Sequence, residues 1–149
     1  MPRRKQEPML GVVVVTHDQA AISLVAAAFA IVGELPAVSA VCVGVGEAFN
    51  KIVEKISRAC AEVDQGAGVL LLVDVHGSSP FHAAMSMLDG TRAAEVLCGV
   101  NLPMLLKMAT VDRTLTPPIS LAEELREAGR RSIRLGSELT GKVAVGETR

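Results

Sequence analysis

The sequence is poor in aromatic residues: its 149 residues include three Phe and no Trp or Tyr. Proteins that stack bases or sugar rings need such side chains, so the scarcity disfavours nucleic-acid and carbohydrate binding. Charge is balanced, with 15 Lys and Arg against 16 Asp and Glu, and so no basic excess indicates a nucleic-acid partner. No apolar run resembles a membrane span or a signal peptide, and we therefore expect a cytoplasmic protein.

Cysteine is also sparse and irregularly spaced. Cys42, Cys60 and Cys98 show no CxxC spacing, which favours free, buried thiols over disulfides or a zinc site. Half of the residues are hydrophobic, and this share together with the length predicts one domain with a sizeable core. We assign residues 1–9 to a flexible basic leader, residues 10–136 to the folded domain and residues 137–149 to a polar tail.

Strand and helix patterns alternate along the chain and predict its architecture. Strands are predicted over residues 10–16, 38–43, 68–73 and 94–99. Helices are predicted over residues 19–32, 102–111 and 120–131, and two more are predicted, one that ends at about residue 63 and a short one that begins near residue 79. This alternation predicts a doubly wound α/β fold with four parallel strands and helices on both faces of the sheet. Asp18, Ser79 and a capping box of Ser120 and Glu123 are the predicted helix starts. Residues 132–136 suggest a short fifth strand.

Polar residues follow two of the predicted strands. The first strand ends in Thr16, His17 and Asp18, and the third is followed by Asp74 and the loop 75–79. The carboxyl ends of neighbouring parallel strands form the ligand crevice of such a sheet. A neutral imidazole is a competent nucleophile, and a carboxylate bonded to one ring nitrogen leaves the other available for attack. The sequence therefore suggests that His17, oriented by Asp74, carries a phosphoryl group.

The loop after Asp74 offers groups that suit phosphate oxygens. Gly77 allows close approach of the backbone, Ser78 and Ser79 add hydroxyls, and the helix that follows begins with free N–H groups. Each of these residues also has a purely structural interpretation, because a Gly-Ser-Ser-Pro segment is a common helix start and a strand-end histidine or aspartate is often a capping or packing residue.

Four segments together resemble the mannose-class enzyme IIA family of the sugar phosphotransferase system (PTS). They are Val-Val-Val-Val-Thr-His at 12–17, Leu-Leu-Leu-Val-Asp at 70–74, Gly-Ser-Ser-Pro-Phe at 77–81 and Gly-Val-Asn-Leu-Pro-Met-Leu at 99–105. The resemblance implies a histidine phosphocarrier in which His17 accepts phosphate from phospho-HPr and passes it to a IIB component. It also implies that Asp74 holds the imidazole and Ser79 contacts the phosphoryl group, that Thr16 belongs to the site, and that Asn101 borders the crevice.

The same resemblance implies an assembly. Members of the family form homodimers that exchange an antiparallel fifth strand, for which residues 132–136 are the candidate here. It implies no cofactor and no metal, and it allows peripheral association with a membrane sugar permease. Asp18 departs from the family pattern, which usually has Gly after the histidine, and His76, Ser78 and His82 depart from the pattern of the phosphate loop.

Three alternatives stay open at this point. The chain is a phosphoryl donor to a dihydroxyacetone kinase, or an interaction domain that kept the fold and lost the transfer activity. The third alternative is a metal-dependent enzyme, with candidate ligands His17, Asp18, Asp74, His76 and His82.

Overall fold

The computed structural model describes residues 5–142 and residue 146. Strands and helices alternate over most of this part, and none of its helices is long and apolar enough to cross a membrane. In chain order the elements are β1 (Gly11–His17), α1 (Ala20–Val32), β2 (Val38–Val43), α2 (Phe49–Val63), β3 (Val69–Val73), α3 (Ser79–Met85), β4 (Ala94–Cys98), α4 (Leu102–Met108), α5 (Pro118–Arg131) and α6 (Gly136–Thr140).

The described sheet has the strand order β2-β1-β3-β4, and every neighbouring pair is parallel. The chain leaves β1 for β2 on one side and then crosses back to β3 on the other side. This reversal of direction creates a crevice between the carboxyl ends of β1 and β3, where ligands bind in open α/β sheets. The predicted doubly wound fold is confirmed.

Helices cover both faces of the sheet because its two central strands are apolar on both sides. In β1, Val13 and Val15 pack in a core cluster with α2 and α3, whereas Val12 and Val14 pack with α1, α4 and α5. All five residues of β3 are buried as well. Unbroken apolar strands of this kind are typical of parallel sheets that are covered on both faces.

A buried arginine ties together loops near the start of β1. Arg113 is 4% exposed, donates from Nη1 to the carbonyl oxygen of Leu10 at 2.8 Å, and donates from Nη2 to the carbonyl oxygen of Pro36. Its own carbonyl accepts the N–H of Leu10 at 2.9 Å. Burial lowers the pKa of the guanidinium from its ordinary value. These bonds fix the amino end of the sheet, opposite the crevice.

The predicted start of α5 and the predicted end of α4 are wrong. Helix α5 begins at Pro118 with Pro117 as its N-cap, so Ser120 and Glu123 lie inside the helix and form no capping box. Proline suits the first turn because the N–H groups there have no partner within the helix. Helix α4 ends at Met108, three residues before the predicted end at 111.

The segment after α5 also differs from its prediction. Ser132 is the C-cap of α5, residues 133–135 are irregular, and α6 follows, so the predicted fifth strand over 132–136 does not form in the single chain. An exchanged strand pairs with the sheet of a second subunit, and the predicted dimer therefore stays a prediction. The leader (1–9) and the tail (137–149) lie partly outside the described residues.

Candidate functional site

The imidazole of His17 and the carboxylate of Asp74 are in direct contact. His17 is the last residue of β1, and Asp74 directly follows the neighbouring strand β3. The ring atom Nδ1 of His17 lies 2.9 Å from Oδ2 of Asp74. The same oxygen accepts the backbone N–H of His17 at 2.9 Å, and Oδ1 accepts the backbone N–H of Val75 at 2.8 Å. Three hydrogen bonds therefore hold the carboxylate in place.

These contacts decide which ring nitrogen is available. An ionised carboxylate only accepts hydrogen bonds, so Nδ1 carries the proton and Nε2 keeps its lone pair. The His17 side chain is 52% exposed, whereas that of Asp74 is 21% exposed. Partial burial alone would raise the pKa of Asp74, but the hydrogen bonds from His17 and Val75 outweigh it and lower the pKa below its ordinary value. The pair thus presents one nucleophilic nitrogen at an open surface.

The residues on either side of His17 differ in exposure and in hydrogen bonding. Thr16 is fully buried, and its Oγ1 accepts the backbone N–H of Ala21 at 2.6 Å in the first turn of α1. The predicted contact of Thr16 with phosphate stays a prediction. The N-cap of α1 is Gln19, so the predicted capping role of Asp18 is wrong. Asp18 is exposed, has a φ of 49°, and donates its N–H to the carbonyl of Val43 at 2.9 Å.

In the loop after Asp74, the serine that caps α3 is not the predicted one. Ser78, rather than Ser79, is the N-cap of α3: its hydroxyl accepts the N–H of Phe81 at 3.4 Å and donates to the carbonyl of Val75 at 2.7 Å. Ser79 is exposed in the first turn of α3. Gly77 has a φ of 80°, and a Cβ there would meet no atom within 4 Å. Ser79 and Gly77 thus lie on the open side of the loop, whereas the Ser78 hydroxyl is engaged.

The hydrogen bonds and ring contacts of the remaining predicted residues in the described part of the chain are made with groups other than His17. The rings of His76 and Phe81 meet edge to face with centroids 4.9 Å apart, and the ring of His82 lies 5.2 Å from that of Phe81. Asn101 caps α4 by accepting the N–H of Met104 at 3.2 Å. Both imidazoles are exposed. The structure therefore makes Asn101 a helix cap, His76 an exposed residue of the loop and His82 an exposed residue of α3.

A braced loop next to His17 was not identified from the sequence. His17 pairs with Val43 at the end of β2, and the loop that follows is held by Glu47. Oε2 of Glu47 accepts the N–H of Gly44 at 2.9 Å, and its Oε1 lies 3.0 Å from Nζ of Lys55. Lys55 also donates to the carbonyl of Cys42 at 2.6 Å. No sequence motif marks a contact between a loop glutamate and a lysine on the following helix.

The metal-dependent alternative lacks a ligand cluster in the described part of the chain. There, no group of three or more His, Cys, Asp and Glu side chains is arranged to hold a metal ion. The imidazole of His17 and the carboxylate of Asp74 instead form a hydrogen bond with each other.

Comparison with known proteins identifies the family to which the chain belongs. Residues 11–123 match the model of a family described as the PTS system fructose IIA component. The chain belongs to this enzyme IIA family. The matched region begins with β1 and extends into α5, so the family match includes both His17 and Asp74. The resemblance read from the four sequence segments is confirmed.

Individual relatives agree with the family. A mannose-specific EIIAB component of Escherichia coli is 32% identical over 128 residues, which cover 84% of this chain and 40% of that protein. The chain thus spans two fifths of the length of this relative. A fructose-specific EIIA component of Bacillus subtilis is 30% identical over 135 residues, which cover 91% of this chain and 92% of that protein.

Solved structures show the same fold. The EIIA component of Streptococcus agalactiae superposes with a TM-score of 0.77 at 21% identity, covering 87% of this chain and 99% of that one. A mannose/sorbose-specific IIA subunit of Enterococcus faecalis gives a TM-score of 0.72 at 23% identity, covering 95% and 99% of the two chains.

Proposed function

We propose that this enzyme IIA chain is a histidine phosphocarrier that receives a phosphoryl group from phospho-HPr and passes it to a PTS IIB component. The observation that supports the proposal is the 2.9 Å contact of His17 Nδ1 with Asp74 Oδ2 beside a half-exposed ring. The contact fixes the tautomer in which Nε2 is the nucleophile. A histidine that only stabilised the fold would not need an open nitrogen.

The transfer balances without any group beyond the two proteins. The Nε2 lone pair of His17 attacks phosphorus, the P–N bond of the donor breaks, and its electron pair returns to the donor nitrogen. Nδ1 keeps its proton, so the phosphorylated ring of His17 becomes cationic while the donor imidazole becomes neutral. Asp74 stabilises this new positive charge through the hydrogen bond that it already makes. In transfer to the IIB component, a nucleophile of that acceptor attacks phosphorus and the bond from phosphorus to Nε2 breaks. Its electron pair returns to Nε2, so the ring of His17 becomes neutral again.

The phosphoryl oxygens need donors, and the loop after Asp74 supplies them in this proposal. Ser79 offers an exposed hydroxyl, and the open φ of 80° at Gly77 lets the backbone approach the oxygens closely. The backbone N–H groups of His17 and Asp18 are already bonded to Asp74 and to Val43, so they are not the donors.

The partners follow from the same proposal. Phospho-HPr and the IIB component act in the cytoplasm, beside a membrane sugar permease with which the carrier associates peripherally. Residues 10–136 form the carrier domain, and residues 132–136 supply the strand exchanged in a homodimer. The open site agrees with protein partners, because a docked protein can cover a half-exposed imidazole and exclude water during transfer.

The test is phosphorylation of the purified chain with phosphoenolpyruvate, enzyme I and HPr. We expect one acid-labile, alkali-stable phosphate per chain, which the His17→Ala variant does not acquire. His82→Ala is the matched control, since this histidine is exposed and has no carboxylate contact, and it should be labelled like the wild type. Absence of labelling with active donors, or equal labelling of His17→Ala, would refute the proposal.

A further inference from the structure

Asp18 has an unfavourable backbone conformation that the sheet fixes in place. Its φ of 49° lies in the left-handed region, which side chains other than Gly adopt at a cost. Its N–H donates to the carbonyl of Val43 at 2.9 Å, so the residue cannot relax without breaking a bond at the end of β2. Conformations of this kind are retained where the surrounding structure imposes them and are frequent at functional sites.

The carboxylate of Asp18 has no structural task in the described part of the chain. It is exposed, the hydroxyl that accepts an N–H in the first turn of α1 belongs to Thr16, and none of the ion pairs among residues 5–142 includes Asp18. Asp18 is nevertheless the residue directly bonded to His17. The structure therefore holds an exposed carboxylate, without an ion-pair partner among residues 5–142, at a fixed backbone position on the residue that follows His17.

We propose that Asp18 raises the phosphoryl-transfer potential of His17, an inference that rests on the proposed function. A phosphoryl group bound to nitrogen carries close to two negative charges and the protonated ring carries one positive charge, so the phosphorylated site has a net charge of about minus one, whereas the neutral imidazole carries none. The charge of Asp18 therefore repels the phosphorylated form and leaves the free form unaffected. Asp74 acts in the opposite direction, because it faces Nδ1 and stabilises the cationic ring. Asp18 thus shifts the equilibrium of phosphoryl transfer away from phosphorylated His17 and toward the acceptor.

The expected size of the effect follows from the solvent exposure of both groups. Exposed charges on adjacent residues interact weakly in water, and a net charge of about minus one on the phosphorylated ring gives an effect of about two- to five-fold in an equilibrium constant. Salt screens exposed charges, because the Debye length falls from about 10 Å at 0.1 M to about 3 Å at 1 M. Most of the effect should therefore disappear in 1 M salt.

The experiment measures how phosphate distributes at equilibrium between HPr and this chain. In Asp18→Asn the side chain keeps its shape and its tolerance of positive φ but loses the charge. Asp18→Gly removes both the charge and the strain. We expect both variants to retain about two- to five-fold more phosphate than the wild type at 0.1 M salt, and the wild-type value at 1 M salt. Glu34→Gln is the control, because this exposed acid follows α1 at the far end of that helix.

The possible results separate the two proposals. If wild-type protein takes up no phosphate, both proposals are wrong. If the wild type is phosphorylated but Asp18→Asn has the same equilibrium constant, the tuning role alone is wrong. A change in Asp18→Gly without a change in Asp18→Asn would also overturn it, since backbone strain rather than charge would be responsible. Because the experiment measures an equilibrium constant, a change in how fast HPr docks onto a variant does not affect the result.

Discussion

Replacement of Asp74 by Asn tests the central pair, because Asn has nearly the same shape but only one acceptor oxygen. In the wild type, Oδ2 accepts two N–H groups of His17, and Oδ1 accepts the N–H of Val75. If the amide oxygen of Asn faces His17, its NH₂ group meets the N–H of Val75, and both are donors. We therefore expect Asp74→Asn to lose about 1–3 kcal/mol of unfolding free energy.

The effect on transfer has a separate cause. The His17 ring becomes cationic when Nε2 carries the phosphoryl group, and a hydrogen bond to an ionised partner is about 1–2 kcal/mol stronger than a neutral one. The rate of phosphorylation of Asp74→Asn by phospho-HPr should therefore fall about 5- to 30-fold. Rapid-quench measurement of labelled phosphate at saturating donor gives this rate directly.

Asp112→Asn is the matched control for this variant. The Oδ1 of Asp112 also accepts two local hydrogen bonds, from the N–H and the hydroxyl of Thr114, and these bonds lower its pKa. Asp112 neighbours Arg113, at the opposite end of the sheet from His17, so its variant should transfer phosphate at the wild-type rate. A rate within twofold of the wild type for Asp74→Asn would refute the role of the Asp74 charge.

Three further outcomes are expected. Arg113→Met should lower the unfolding free energy by about 3 kcal/mol in urea titrations, because two backbone carbonyls lose a charged donor. Cys60 is fully buried and burial raises its pKa to about 11, so an aromatic disulfide reagent should label it only in denaturant, after the two half-buried thiols. Stability should fall below about pH 4 and fall less in Asp74→Asn, because protonation of Asp74 removes the stability that its lowered pKa reflects.

The fold could be predicted because its signals are local. The apolar run of β1 and the alternation of strands with helices are visible in the sequence, and both are enough to predict a parallel sheet. The helix starts were harder, since Ser78, Ser79 and Pro80 in succession allow more than one capping register. Residues 132–136 were the hardest, because a strand there depends on a second chain that a sequence pattern does not describe.

The site could be predicted only in part, because residue type does not reveal what a side chain faces. The contact of His17 with Asp74 followed from topology, since both residues end neighbouring strands. The use of the Asp74 oxygens by the backbone N–H groups of His17 and Val75 did not, and neither did the brace between Glu47 and Lys55. Hydrogen bonds of these kinds depend on the exact turn that the chain makes after each strand.

The three polar residues at the end of β1 show why position decides chemistry. Along a strand, side chains alternate between the two faces, so Thr16 faces α1 and is buried, whereas His17 faces the opposite side, where α2 and α3 pack. The chain then turns through a positive φ at Asp18 and leaves that carboxylate exposed. Among the three, only His17 combines an open side chain with a partly buried partner, Asp74. The proposed phosphoryl transfer needs both, because the partner fixes the ring while the exposed Nε2 edge is available to the phosphoryl group.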